Sequence, residues 1–425
     1  MVLDVAALRS HFPSLDHGLA FFDGPGGTQT PRPVGEAIVA TMTGPISNRG
    51  TISTTERTAD RVVTEFRAAY ADLLGVPAGG IVHGRSATQL TYDFSRHLAR
   101  TWQPGDEIVV SRLDHDANVR PWIQAAEQAG VTVRWIELDG ASLDLDTYRP
   151  GERTRLVAVT AASNVLGTKP PLPEIAERAR AAGALVWVDG VHYAAHDLVD
   201  VDALGADFFV CSPYKFFGPH CGVLAASPAL LETLRPDKLV PSTNAVPERF
   251  EFGTLPYEQL AGATAAVDFL AAVASVSARP APASVSARAV SRPAPAAGGA
   301  GGSPAGPGSR RDRLAASFAA IHEHELALRA RLEEGLRSLG DAITVHSTAP
   351  DRTPTTLITL EGRDAREAQI HLAGLGVLAP AGSFYAYEPF RALKLTDPAL
   401  RVGLAPYNTP EEIDRFLTGL AGFLR

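Results

Sequence analysis

Two kinds of segment alternate through the first two thirds of the chain. Short runs that are apolar on successive positions, "DEIVVS", "VTVRWIEL", "TRLVAVTA", "ALVWVD" and "ADFFVCS", predict strands covered on both faces. Between them, "NVRPWIQAAEQAG" and "LPEIAERARAAG" predict helices that stop at Gly130 and Gly183. The repetition of strand, helix and strand implies a mainly parallel sheet with helices on both sides. In such sheets ligands lie beyond the carboxyl ends of the strands. Asp189 and Ser212 each stand at an end of that kind.

The pattern breaks at about residue 274. "SVSAR" and "RPAPA" each occur twice there, and "GGAGGSPAGPGS" follows. Such Pro, Gly, Ala and Ser composition cannot bury enough apolar surface to offset the entropy of ordering, so a disordered surface insertion is expected over 273–312. Beyond it Leu314, Phe318 and Ile321 recur at helical spacing, "TTLITL" reads as a strand, and "PEEIDRFLTGLAGFL" reads as a final helix. The expected plan is an N-terminal segment (1–20) packing on a small domain, a large α/β domain (21–272), the insertion, and a small C-terminal α+β domain (313–425).

Composition narrows the function classes. The chain has 425 residues, 45% hydrophobic and 20% charged, with a net charge of −8. That suits a large globular core, and no basic stripe outside the insertion suggests nucleic acid or an anionic membrane as partner. Two cysteines, Cys211 and Cys221, make no disulfide framework, which favours a reducing compartment. The N-terminus lacks the apolar core of a signal peptide, and no apolar run approaches the roughly 20 residues that span a bilayer. A cytoplasmic protein is expected.

The candidate chemistry gathers at the strand ends. Asp189 closes an apolar run, and Lys215 follows in the crowded turn "SPYKFFGP". An acid at a strand end is commonly a cap and a lone lysine is commonly solvated; together with Ser212 and Gly218 they suggest a cofactor site. A pyridine-ring cofactor with an aldehyde and a phosphate needs a carboxylate for its ring nitrogen, an amine for its aldehyde, an aromatic plate, and donors for a dianion. His115, after "EIVVS", is a candidate plate. "HGRSATQLTYDF" sets Ser86, Ala87 and Thr88 at a helix start, where free N–H groups attract phosphate, with Ser212 and Tyr214 as further donors.

These motifs, in this order, resemble the class V aminotransferase family of pyridoxal-phosphate enzymes, in its cysteine desulfurase-like branch, over nearly the whole chain except the insertion. "FFDGPGGTQTP" resembles the family's entry loop, which contains Gly27, "IVHGRSATQL" its phosphate loop, "DHDANVRPW" its stacking-histidine motif, and "SNVLG" the stretch whose Asn, here Asn164, contacts the ring hydroxyl. "VDGVHYAAH" and "SPYKFFGP" are similar to its aspartate and lysine motifs. "FEFGTLPYEQLAG" resembles the loop that lends a threonine, here Thr254, across a dimer to the partner's phosphate. "LRVGLAPYNTPEEIDRF" resembles the stretch whose arginine, here Arg401, clamps the substrate carboxylate. The resemblance implies fold type I, pyridoxal 5′-phosphate as cofactor, a small amino acid as substrate, and a homodimer with shared active sites, to which Asn48 and Arg49 of "PISNRGTIS" are further candidates.

The departures carry as much weight. His192 stands where most relatives have Gln, and either serves the ring oxygen or shuttles protons. Tyr214 replaces a His before the lysine. The loop "LAPAGSFYAYEPF" lacks the cysteine that desulfurases place there to accept sulfur as a persulfide. A thiolate is needed for that step, so carbon–sulfur lyase chemistry by β-elimination is the leading expectation. Transamination, desulfuration with an atypical acceptor and a silent dimeric scaffold are the alternatives. A metal site built from His115, Asp116, His192 and His196 lacks ligands at suitable spacing, and "HEHE" at 322–325 reads as the solvated face of an amphipathic helix.

Overall fold

The computed structural model describes residues 3–276 and 308–425. Most of the expected insertion therefore lies outside the described residues. Helical order enters both of its ends, since one helix runs Tyr257–Val276 and the next, Arg310–Arg337, starts behind a Ser309 cap.

The large sheet has seven strands. In spatial order they are Ile81–Gly84, Gly222–Ala226, Phe208–Cys211, Leu185–Asp189, Thr154–Thr160, Glu107–Ser111 and Thr132–Ile136. All run parallel except Gly222–Ala226, which is antiparallel to both neighbours. The apolar runs are continuous because each central strand feeds two cores. Val186, Val188, Val157, Val159 and Phe209 join one cluster, while Trp187, Leu156, Ala158, Phe208 and Val210 join the other on the opposite face. A fold type I α/β architecture with a mainly parallel sheet follows directly from that pattern.

A second, antiparallel sheet orders Ile343–Val345, Thr355–Leu360, Ala399–Gly403 and Ala381–Gly382, packed beneath helices that include Pro410–Leu424. The N-terminal stretch ties onto this part. Ala20 and Phe21 pair with Val377 and Leu378, and Arg9 bridges to Glu412 at 2.9 Å. Gly190 shows why the chain turns cleanly at the sheet end, since a Cβ there would sit 1.9 Å from the Phe209 ring.

One expectation is corrected here. Glu325 of "HEHE" is buried, at 3% exposure, and its Oε2 lies 2.9 Å from His196 Nδ1. His324 also turns inward, its Nε2 3.0 Å from the Asn408 carbonyl. His322 and Glu323 stay exposed, so the face read as solvated is half covered, its last two residues meeting protein.

Candidate active site

The carboxyl ends of the parallel strands open onto a cavity of about 700 Å³. Four of these strands deliver a side chain to it. Asp189 ends the strand Leu185–Asp189, Ser212 follows Phe208–Cys211, Asn164 follows Thr154–Thr160, and His115 follows Glu107–Ser111. Ser86 caps the helix Ala87–Ala99, its Oγ accepting from the Gln89 N–H at 3.1 Å. That leaves the Ala87 and Thr88 N–H groups at a positive helix end lining the cavity, an arrangement suited to a phosphate. Gly222 lets the sheet approach this end closely; a Cβ there would lie 2.4 Å from the Ser86 carbonyl carbon.

Burial shifts the charges of the site. Asp189 is held up at about 6, by loss of water, against the opposing pull of the Val191 N–H, which donates to Oδ1 at 2.9 Å, and of Lys215. Burial first and the neighbouring Arg401 cation second lower Lys215 to about 7, against the opposing pull of Asp189. Its Nζ donates to the Pro25 carbonyl. His115 is pushed down to about 4, mainly by burial. Its Nδ1 accepts from the Ala117 N–H at 3.0 Å, which puts the proton of a neutral ring on Nε2. A neutral, oriented imidazole is what a stacking plate requires.

Arg401 is buried in the strand Ala399–Gly403 and lowered to about 9 by desolvation. It donates to the Asn164 carbonyl at 3.0 Å and lies 3.9 Å over the Phe384 ring, while its Nε is buried without a partner. Asn164 likewise has a buried, unpartnered Oδ1, while its Nδ2 donates to the Phe384 carbonyl at 3.0 Å. Buried polar groups rarely go unpaired, and both of these residues line the cavity. The His192 Nε2 hydrogen-bonds the hydroxyls of Thr353 (2.9 Å) and Thr355 (3.0 Å), and burial drives its basicity well below the ordinary range. Its ring meets that of His196 at 5.0 Å, behind which stands Glu325. Tyr214 is held flat against His220, with rings 4.6 Å apart.

The structure thus brings together Ser86, Ala87, Thr88, His115, Asn164, Asp189, His192, Ser212, Tyr214, Lys215 and Arg401 around one cavity. It does not bring in four other candidates. Gly27 packs on Tyr214 and lines an adjoining hollow, with Gly26 taking its place in the cavity wall. Asn48, Arg49 and Thr254 are exposed outside the cavity, and Arg49 is paired with Asp60 at 2.8 Å and Glu248 at 3.2 Å. Sequence reasoning missed Phe384 as a wall, the Thr353 and Thr355 hydroxyls on His192, and the buried Asp114 behind Asp189. Thr355 opens a strand of the other sheet and Thr353 lies just before it, so no local pattern connects them to His192. Among the described residues no three His, Cys, Asp or Glu side chains are grouped to hold a metal.

An acid and an amine facing one cavity beyond a parallel sheet, with a helix end for phosphate, define a pyridoxal-phosphate enzyme of fold type I. The chain belongs to the class V aminotransferase family, which matches residues 20–291 and 314–416. Aminotransferase-like protein FGM3 of Gibberella zeae is 30% identical, over 97% of this chain and 96% of its own length. A probable cysteine desulfurase of Xylella fastidiosa is 29% identical, over 98% and 95%. Among solved structures, the cysteine desulfurase CsdA of Escherichia coli (TM-score 0.81, 24% identity, covering 99% of this chain and 98% of that one) shares the fold. So does a cysteine desulfurase of Thermococcus onnurineus, with TM-score 0.84 and 22% identity, covering 100% and 98%. The chain is therefore a pyridoxal-phosphate enzyme of the cysteine desulfurase-like branch. Among the described residues no helix is long and apolar enough to cross a membrane.

Proposed function

We propose that this enzyme is a carbon–sulfur lyase, cleaving the Cβ–S bond of a small cysteine-type amino acid by β-elimination. The observation that carries the reading is the state of the two thiols. Cys211 and Cys221 are buried and outside the cavity, and desolvation holds Cys211 well above its ordinary value and Cys221 at about 12. The loop over the cavity carries Phe384 and Tyr385 and no thiol. A desulfurase needs a thiolate at that position to take sulfur from its substrate, whereas elimination needs only a base and an electron sink.

The residues present fit pyridoxal 5′-phosphate. The Asp189 carboxylate would hold the ring nitrogen, Lys215 the aldehyde carbon, His115 one ring face, and Ser86, Ala87, Thr88 and Ser212 the phosphate. When bound, the cofactor supplies an electron sink for the bond at Cα. Arg401 orients the substrate carboxylate through its unpaired Nε. Lys215 Nζ, poised near neutrality, takes the α-proton. The Cβ–S electron pair then leaves on sulfur, the thiolate gains a proton, and water carries the three-carbon remainder to pyruvate and ammonium. His192, kept neutral and fixed by the Thr353 and Thr355 hydroxyls, would face the ring hydroxyl in place of the usual amide.

We also propose that two copies share their sites, with Thr254, Asn48 and Arg49 reaching the partner's cavity. We propose further that the chain divides into an N-terminal segment (1–20), a large domain from 21 to the end of the helix Tyr257–Val276, and a small domain beginning with the helix Arg310–Arg337. The ordered ends of the insertion expected over 273–312 then join the domains on either side. The reaction is tested by incubating the enzyme with cysteine, an S-substituted cysteine, and an amino acid with a 2-oxo acid. Pyruvate and ammonium without any oxo-acid acceptor are expected. Turnover that requires the acceptor would make the enzyme an aminotransferase instead.

A further inference from the structure

Beside the main cavity lies a second hollow of about 590 Å³, open to solvent and lined by Asp116, Arg120, Ser383, Phe384, Tyr385 and Tyr387. Four of these residues, Asp116, Arg120, Phe384 and Tyr385, line both spaces, so the hollow is a vestibule of the active site. Its loop is fixed in place. The Asp116 N–H donates to the Tyr385 carbonyl at 2.8 Å and the Asn164 amide to the Phe384 carbonyl at 3.0 Å. Phe384 and Tyr385 sit at φ of 55° and 53°, a backbone region that bulky residues occupy only where their surroundings impose it.

That strained turn presents aromatic rings outward in series. Tyr385 lies 5.6 Å from His115 at 34° between ring planes, continuing the plate toward solvent. Tyr387 stands beside Arg120, at 5.5 Å, and Arg391, at 5.6 Å. Both tyrosines are exposed, Tyr385 by 77% and Tyr387 by 54%. Arg120 is already satisfied by Asp116 at 2.6 Å and Glu388 at 3.1 Å. It therefore offers a flat guanidinium face for stacking and leaves no unpaired charge asking for an anion. A free cysteine ends at the thiol and would leave this whole surface in water.

We propose that the substrate's sulfur carries a planar, apolar group, aromatic in the first instance, which stacks along Tyr385, Tyr387 and the Arg120 face. The inference rests on the lyase reading for its chemistry and adds the substrate class. The balanced step is the one already given, with the arenethiolate or arylmethanethiolate departing with the Cβ–S electron pair and then gaining a proton to become the thiol.

The test compares S-benzylcysteine with S-methylcysteine on the holoenzyme, measuring pyruvate release. A kcat/KM at least about tenfold higher for the benzyl compound is expected, equivalent to about 1.4 kcal/mol. Tyr385→Ala and Tyr387→Ala should each shrink that ratio toward one, and Tyr385→Phe should retain it. In parallel, calorimetry with S-benzyl-α-methylcysteine, which lacks an α-hydrogen and cannot eliminate, should show tighter binding than with its S-methyl counterpart. Equal kcat/KM and equal binding for the two series would overturn the vestibule while leaving the lyase intact. Tighter binding of the benzyl analogue with no pyruvate from either substrate would uphold the vestibule and overturn the lyase.

Discussion

Two carboxyl groups stand one behind the other at the base of the cavity, and burial acts on both. Asp189 is raised to about 6 and Asp114, fully enclosed, to about 8. Asp114 accepts from the Asn118 amide at 2.7 Å and from the Ser111 hydroxyl, which oppose the rise, while the nearby Asp189 contributes to it. An acid whose folded value lies above its unfolded one takes up a proton on folding. Its stability contribution is full below the unfolded value, near 4, and is lost as pH rises toward 8. Between pH 6 and 8 this acid alone should cost the protein about 2 kcal/mol. Asp114→Asn mimics the protonated form, so thermal unfolding should show that variant losing less stability over the same interval; parallel losses would contradict it. Lys215 works in the opposite sense. Its base form is populated above about 7, so kcat should rise with pH from 6 to 8 and then level off, and a flat profile would remove Lys215 as the base. At this scale the sequence was informative because Asp189 closes an apolar run and Lys215 sits in a crowded turn just after another, and charged groups in those places have few structural uses. Asp114 escaped notice because nothing in "RLDHDANV" tells which of its acids is enclosed.

Elements decide how firmly those residues are held. The helix Ala87–Ala99 is set by Ser86 from one side and by the close approach of Gly222 from the other. Gly222→Ala should displace that helix start, weakening pyridoxal-phosphate retention about tenfold, the equivalent of one or two hydrogen bonds, while the far-ultraviolet spectrum stays unchanged. Unaltered cofactor affinity would mean that the helix end does not hold the phosphate. The long helix Arg310–Arg337 supports the site from behind through Glu325, His196 and His192. Glu325→Ala leaves a buried imidazole without its partner and should cost about 1–3 kcal/mol in denaturant unfolding, with Glu325→Gln costing less. The central strands were easily legible, since both their faces are apolar; the edge strand Thr132–Ile136, expected to be covered on both faces, instead leaves Thr132 and Arg134 exposed. The inward turn of His324 and Glu325 in "HEHE" was not legible, because amphipathic spacing identifies a helix face without revealing that a second part of the protein covers part of it.

At the scale of the whole molecule, two sheets meet around one cavity, and contacts between them had no local signature. Thr353 and Thr355 reach His192 from the antiparallel sheet, and Phe384 reaches Asn164 and Arg401 from a loop late in the chain. Motifs gave the large-domain side of the site and Arg401 from the small-domain side; Phe384 and the threonines facing His192 became visible only on folding. Outside the cavity, Val39, Met42 and Ile52 are exposed apolar side chains close in sequence to Asn48 and Arg49, and Leu239 and Val240 are exposed as well. Exposed apolar residues in such number suit an interface between copies. Sedimentation should therefore show a dimer, and Met42→Asp combined with Ile52→Asp should yield a monomer with reduced cofactor occupancy. A wild-type monomer with full activity would refute the shared sites.

The assignment of roles within the cavity is tested most directly by reducing the holoenzyme with borohydride and mapping its peptides by mass spectrometry. A phosphopyridoxyl group on Lys215, absent after Lys215→Ala, is the predicted result. The same group fixed on a different lysine, or no such group on enzyme that turns over its substrate, would contradict it.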